Sequence, residues 1–206
     1  MVASMTMTGR ASPLSPDLRR QALIESTLPL LRQYGDAVTT RQIAQASGVA
    51  EGTIFRAFPD KDSLIAAALD KALDPTDTIA ALGGVDRTLA LDARLQAAGS
   101  ILYERLAGVF ALLGAMRMSS PPRPHSGACR TDHQARHARV TDAVAELLRP
   151  DASLLRRTPG EVAQLLQALI FSSAHPLISA EAPLRSEEIV SILLDGVRRR
   201  NQGEPC

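Results

Sequence analysis

Tryptophan is missing from the chain, and aromatic residues make up only 3% of its 206 positions. So few aromatic side chains, set among many Ala, Leu and Arg residues, favour helix over sheet. Cysteine is nearly absent too. Cys129 and Cys206 cannot build a disulfide framework, and they suggest a reducing compartment. The net charge is only +1, so the chain as a whole is no electrostatic sponge for nucleic acid, and any such contact must be local and well shaped. No apolar run has the length of a signal peptide or a membrane span, and a soluble cytoplasmic protein with no membrane partner is expected. No Gly-rich phosphate loop, no Ser-His-Asp arrangement and no paired carboxylates argue for catalysis, so neither an enzyme nor a cofactor is expected.

What is present is a 45% hydrophobic share in a length that allows one domain or two small ones. Residues 1–15 are small and polar and read as a disordered arm. A first helix should start at Ser15 as cap with Pro16 in the first helical position, and Gly35 is placed to end it in a left-handed cap. Pro29 lies inside that helix and should kink its last turn. Thr39 and Gln42 form a capping box for a second helix, which stops before Gly48. A third covers about Ala50 to Phe58, and Pro59-Asp60 stops it and caps a fourth, Lys61 to Leu73. Asp74-Pro75 and Gly83-Gly84 then mark a linker.

Beyond the linker, a long apolar helix or pair of helices is expected over Leu89 to Met118, with Leu102, Leu106, Val109, Leu113 and Met116 on one face. Residues 119–130, SSPPRPHSGACR, read as a loop. Capping boxes at Thr131/Gln134 and Thr158/Glu161 open two further helices, and a last one spans about Ser186 to Arg200. The expected fold is all-α, with domains over residues 16–73 and 74–206.

The stretch TTRQIAQASGVAEGTIFRAFPDK, 39–61, holds two helices too short to bury a stripe of their own. Joined by a tight turn and packed at a steep angle, they make a helix-turn-helix. Ala44 is small where the helices cross, Gly48 suits the positive φ of the turn, and Val49, Ile54 and Phe58 face inward. Outward on the third helix stand Glu51, Thr53, Arg56 and Ala57, which suit a helix entering the major groove.

From Thr39 to Leu69 the sequence resembles the DNA-binding segment of the tetracycline-repressor (TetR) family of bacterial regulators. The motifs are Tyr34-Gly35 after the first helix, Thr-x-Arg-x-Ile-Ala, the Gly-Val turn, Gly-Thr-Ile-Phe and a following Phe-x-x-Lys. The resemblance implies that Thr40 and Arg41 hold phosphate or reach a base edge. It places Thr53 near phosphate, Arg56 and Ala57 at bases, and Lys61 as a backbone clamp. Ala50, Glu51, Gly52 and Phe55 complete the implied DNA-facing set. Two departures matter: Ala50 cannot cap, which leaves Glu51 to offset the loss through the helix dipole, and Phe55 lacks a hydroxyl for phosphate. Through Lys61 there are seven basic and five acidic residues, a net of +2, so one copy should bind weakly and two are needed.

The last two helices are apolar on more than one side, and the same resemblance implies that they pair two chains in a four-helix contact. Leu165, Leu166, Leu169, Ile189, Leu193 and Val197 are the expected interface. A two-fold homodimer implies double-stranded DNA with a palindromic operator. The resemblance further implies a repressor released by a small apolar effector held in the second domain. Tyr103, Phe110, Met116, Phe171 and His175 are candidates to line that site, although a lone His or Tyr on an apolar face is ordinarily a satisfied core residue.

An alternative comes from His125, Cys129, His133 and His137, spaced four apart, which could ligate a transition metal in a metal-responsive regulator or a small helical metal-binding protein. Gly127 and the nearby prolines break any continuous helix there, and a His pair at i, i+4 is usually a solvated face.

Overall fold

A computed structural model describes residues 15–116, 128–179 and 183–198. Residues 1–14 of the expected arm, residues 119–127 of the expected loop, His125, Arg199, Arg200 and Cys206 lie outside the described residues. Within them the chain is helical, and its only β pairing there is a single antiparallel bridge between Leu155 and Arg198. Two compact units are distinguished, Met1–Lys71 and Ala72–Cys206.

In the first unit α1 spans Pro16–Tyr34, α2 Thr40–Ser47 and α3 Glu51–Ala57, and α4, Lys61–Leu73, runs to its boundary and just past it. Ser15 caps α1 by accepting from the Leu18 amide at 3.3 Å. The helix continues through Pro29 to Tyr34. Just before the proline, the Ser26 and Thr27 hydroxyls donate back to the carbonyls of Ala22 and Leu23 at 2.8 and 2.7 Å. Gly35 departs from expectation. Its φ of 54° is positive but its ψ of −135° lies outside the left-handed helical basin, and the chain turns directly into a short 3₁₀ segment, Gly35–Ala37. Only glycine takes that conformation without strain.

The capping box at Thr39 forms in full: the Gln42 amide donates to Thr39 Oγ1 at 3.2 Å, and the Thr39 amide donates to Gln42 Oε1 at 2.8 Å. Gly48 takes φ 67°, ψ 27°, the left-handed conformation the turn requires. With α2 and α3 set at that angle, Ile43, Ala44, Ile54 and Phe58 sink into one core with Leu23, Leu31 and Leu64. At the head of α4, Asp60 Oδ1 accepts from the Ser63 amide at 2.7 Å.

The second unit corrects the sequence reading in three places. Between Asp74-Pro75 and Gly84 the chain forms a helix, α5, Thr76–Gly83, where a linker was expected. Asp74 Oδ1 accepts from the Thr76 amide and hydroxyl at 2.9 and 2.6 Å, and Thr78 and Leu82 are buried. Eight residues hold too few turns for periodicity to declare them. Next, α6 spans Leu91–Ala115, so it begins after the expected Leu89, and Met116 is its C-cap. Leu102, Leu113 and Met116 of its anticipated face are buried, whereas Leu106 and Val109 are half-buried. Finally, α7 spans Ala128–Leu148, so its start lies upstream of the expected Thr131/Gln134 box, which falls inside the helix.

A 3₁₀ turn, Arg149–Leu154, leads to α8, Pro159–Ala174, opened by the expected Thr158/Glu161 box, and α9 covers Ser186–Val197. The length and hydropathy that would let α6 cross a membrane are used here to pack against α5, α7, α8 and α9. Its Gly99 lies so close to α9 that a Cβ there would meet Val190 Cγ2 at 3.2 Å. Arg94 of α6 is buried and pairs with Asp151, and Arg198 past α9 bonds Asp92 at 2.7 and 2.8 Å.

Candidate DNA-binding and ligand sites

The outer surface of the helix-turn-helix carries the residues that the motif singled out. Arg41 projects from α2, while Glu51, Gly52, Phe55 and Arg56 are exposed on α3, with Thr53 and Ala57 half-buried beside them. Phe55 is 51% exposed, which is unusual for so large an apolar side chain on a seven-residue helix. A buried Ile54 on the same helix shows that α3 is held by one face only. Ala50 is exposed and supplies no side-chain cap; its carbonyl accepts from the Thr53 amide at 2.8 Å, and Glu51 is the acidic group of the first turn.

Two of the expected phosphate groups are already engaged. Thr40 Oγ1 donates to Glu51 Oε1 at 2.5 Å, which ties the first residue of α2 to the first residue of α3. Lys61 Nζ donates to the carbonyls of Val38 and Asp36 at 3.1 and 3.3 Å. An ammonium has three donors, so these bonds leave at most one for a phosphate. Lys61 thus holds the approach to α2 as well as standing at the head of α4.

One residue of this surface was missed. Arg20 of α1 donates through Nη1 to the Ala57 carbonyl at 2.6 Å, and its guanidinium lies 3.9 Å from the centre of the Phe58 ring. It closes the carboxyl end of α3, where positive charge complements the helix dipole. No motif marks it, because its partners lie 37 and 38 positions away.

In the second unit α6, α7 and α8 enclose a cavity of about 560 Å³ that also reaches Leu73. Leu102, Leu106, Val140, Ala168 and Phe171 form its apolar wall, and Arg105, Arg136, His133, His137, Gln164 and Gln167 are its polar lining. Of the five residues expected here, only Phe171 lines it. Phe110 and His175 instead pack with Phe171 in an aromatic cluster, with centroids 4.7 to 5.5 Å apart. Met116 is buried, and Tyr103 packs against the core. A face defined by spacing alone does not tell which of its members meets neighbouring helices and which meets a void.

Arg105 is held hard: Nη2 donates to the Leu73 carbonyl at 2.9 Å, and Nη1 to the Asp74 carbonyl and Thr78 Oγ1 at 3.2 and 3.4 Å. Burial lowers its pKa, the Asp74 charge raises it, and the nearby Arg136 charge lowers it again, for a net shift downward. The signal available in the sequence was a charge three residues beyond Leu102, inside an apolar row.

His133 and His137 are exposed on α7, with Thr141 Oγ1 donating to the His137 carbonyl at 3.0 Å. The side chain of Cys129, like His125, lies outside the description. Among the described residues no three His, Cys, Asp or Glu side chains are grouped to hold a metal ion.

The expected dimer residues divide sharply. Leu166, Ile189, Leu193 and Val197 are 0 to 7% exposed and belong to the unit's own core. Leu165 and Leu169 are 44% and 39% exposed, and Ile192, not anticipated, is 56% exposed beside them. Helical spacing placed Ile189, Leu193 and Val197 on one side of α9, and only packing shows that this side is turned inward.

The α2–Gly48–α3 pair, packed on one face and bare on the other, is a helix-turn-helix of the kind that binds DNA. Residues 23–68 match the family described as bacterial regulatory proteins, tetR family. The match covers the helix-turn-helix segment, and it shows there a DNA-binding domain of the kind found in that family of transcription regulators. Solved structures share the whole fold at low identity. A TetR transcription regulator from Haloarcula marismortui is 19% identical with a TM-score of 0.65, over 89% of this chain and 100% of that one. A tetR-family regulator from Streptomyces coelicolor is 22% identical with a TM-score of 0.61, over 88% and 80%. NalD from Pseudomonas aeruginosa, the secondary repressor of the MexAB-OprM multidrug efflux pump, is 16% identical with a TM-score of 0.50, over 89% and 97%. The family match does not favour the metal-binding alternative.

Proposed function

We propose that the protein is a homodimeric repressor that binds a palindromic operator in double-stranded DNA and releases it when a small molecule enters the cavity of the second unit. The observation that carries this reading is the exposed α3 face, where Phe55 and Arg56 stand uncovered while Ile54 behind them is fully buried. A helix anchored on one face and bare on the other suits insertion in a major groove. Arg56 and Ala57 are assigned to base edges, and Arg41, Thr53 and the remaining Lys61 donor to phosphate. The homodimer is assigned to Leu165, Leu169 and Ile192 on the outer surface of α8 and α9. Repression is the sense in which NalD, of the same fold, is described.

Selection from random duplex DNA at two salt concentrations tests it, with Arg56→Ala run alongside. Enrichment of a two-fold symmetric site that the variant loses is the expected result. No enrichment by folded wild-type protein, with and without candidate ligands, would end the reading.

A further inference from the structure

The cavity beside α6 is apolar over most of its wall yet carries two guanidinium groups. We propose that it takes an amphipathic carboxylate, with an alkyl body along Leu102, Leu106, Val140 and Phe171 and its carboxylate on Arg105 and Arg136. The inference rests on the reading of the second unit as the effector-binding part of a regulator, and it replaces the wholly apolar effector expected from sequence.

Three features support it. First, Arg105 and Arg136 line the same void, and the charge of Arg105 is disfavoured by burial and then, against the favourable Asp74 charge, by the nearby Arg136. Like charges held together in a poorly solvated wall are stabilised by an anion between them. Second, Arg105 is positioned in advance by the carbonyls of Leu73 and Asp74 and the Thr78 hydroxyl. Those bonds occupy at most three of the five N–H donors of a guanidinium, and the planar fork suits a carboxylate. Third, about 560 Å³ with a leucine and valine lining is more than a bare inorganic anion would fill, and an alkyl chain matches it.

A consequence follows for regulation. The carbonyls that hold Arg105 belong to Leu73, the last residue of α4, and to its neighbour Asp74, and α4 begins at Lys61. A carboxylate on the remaining donors of Arg105 is therefore tied through that guanidinium to the carboxyl end of α4.

Calorimetric titration of the full chain with octanoate, 1-octanol and acetate tests the assignment, using wild type, Arg136→Gln and Arg105→Lys, with folding checked by circular dichroism. Octanoate is expected to bind one per chain and about tenfold or more tighter than either control. Arg136→Gln should weaken octanoate by about tenfold and leave octanol unchanged, and Arg105→Lys, which keeps the charge but loses the fork, should fall between. Octanol binding as tightly as octanoate, octanoate binding that ignores Arg136→Gln, or no octanoate binding at all would overturn the proposal. DNA selection with unliganded protein separates the two readings. An enriched operator without octanoate binding removes only the ligand class, whereas octanoate binding without any enriched DNA keeps the site and removes the regulator.

Discussion

Arg20 closes the carboxyl end of α3: its Nη1 donates to the Ala57 carbonyl at 2.6 Å while its guanidinium rests 3.9 Å from the Phe58 ring centre. A seven-residue helix has little stability of its own, so this tie from α1 helps fix the direction in which Arg56 and Phe55 project. Arg20→Met should therefore cost about 1 kcal/mol of stability, the value of one charge-assisted bond and one exposed cation–π contact. Its larger effect should be on DNA affinity for the selected operator. Denaturant unfolding and a binding titration on the same variant check both, and unchanged affinity would remove the orienting role.

The Thr40–Glu51 bond predicts an effect in the opposite direction. Glu51 places a carboxylate on the exposed face of α3 and occupies the Thr40 hydroxyl. Glu51→Gln removes that charge from the vicinity of phosphate, so DNA affinity should rise several-fold at low salt. The gain should shrink as salt increases. The helix start should weaken by less than about 1 kcal/mol, because a first-turn carboxylate interacts favourably with the dipole. Binding isotherms across a salt series decide it.

Burial separates two classes of leucine on α8. Leu166→Ala should destabilise the chain by about 2 to 5 kcal/mol, because it opens a void in a packed core. Leu169→Glu should leave the fold intact and instead shift sedimentation from dimer to monomer, with loss of operator binding at low protein concentration. Dimers of Leu169→Glu as tight as wild type would move the interface elsewhere.

Acid should weaken the fold through its helix caps. Hydrogen bonds from the Ser63 side chain and amide lower the pKa of Asp60, and bonds from the Thr158 amide and hydroxyl lower that of Glu161. A carboxylate whose pKa is lowered by folding contributes fully above its unfolded value and loses that contribution as pH falls through the folded one. Thermal stability should therefore begin to fall below the ordinary glutamate value of 4.5. Asp60→Asn with Glu161→Gln should make the midpoint less dependent on pH in that range, as thermal melts from pH 6 downward would show.

The sequence by itself determined the local chemistry of the chain. Capping boxes at Thr39 and Thr158, the left-handed turn at Gly48 and the Asp60 stop all depend on neighbours within a few residues, so composition and spacing suffice to read them. The helix-turn-helix was legible for the same reason, since Ile43, Gly48 and Ile54 are close in the chain and each has one geometric task. Tertiary structure alone decided the rest. Whether Leu166 or Leu169 faces inward depends on where α6 and α9 lie, and Arg20 meets Ala57 only because α1 packs on α3. The cavity is a void left between α6, α7 and α8, and it puts Arg105 beside Arg136, 31 residues further along the chain. Spacing names a face, but what the face meets is a property of the packed molecule.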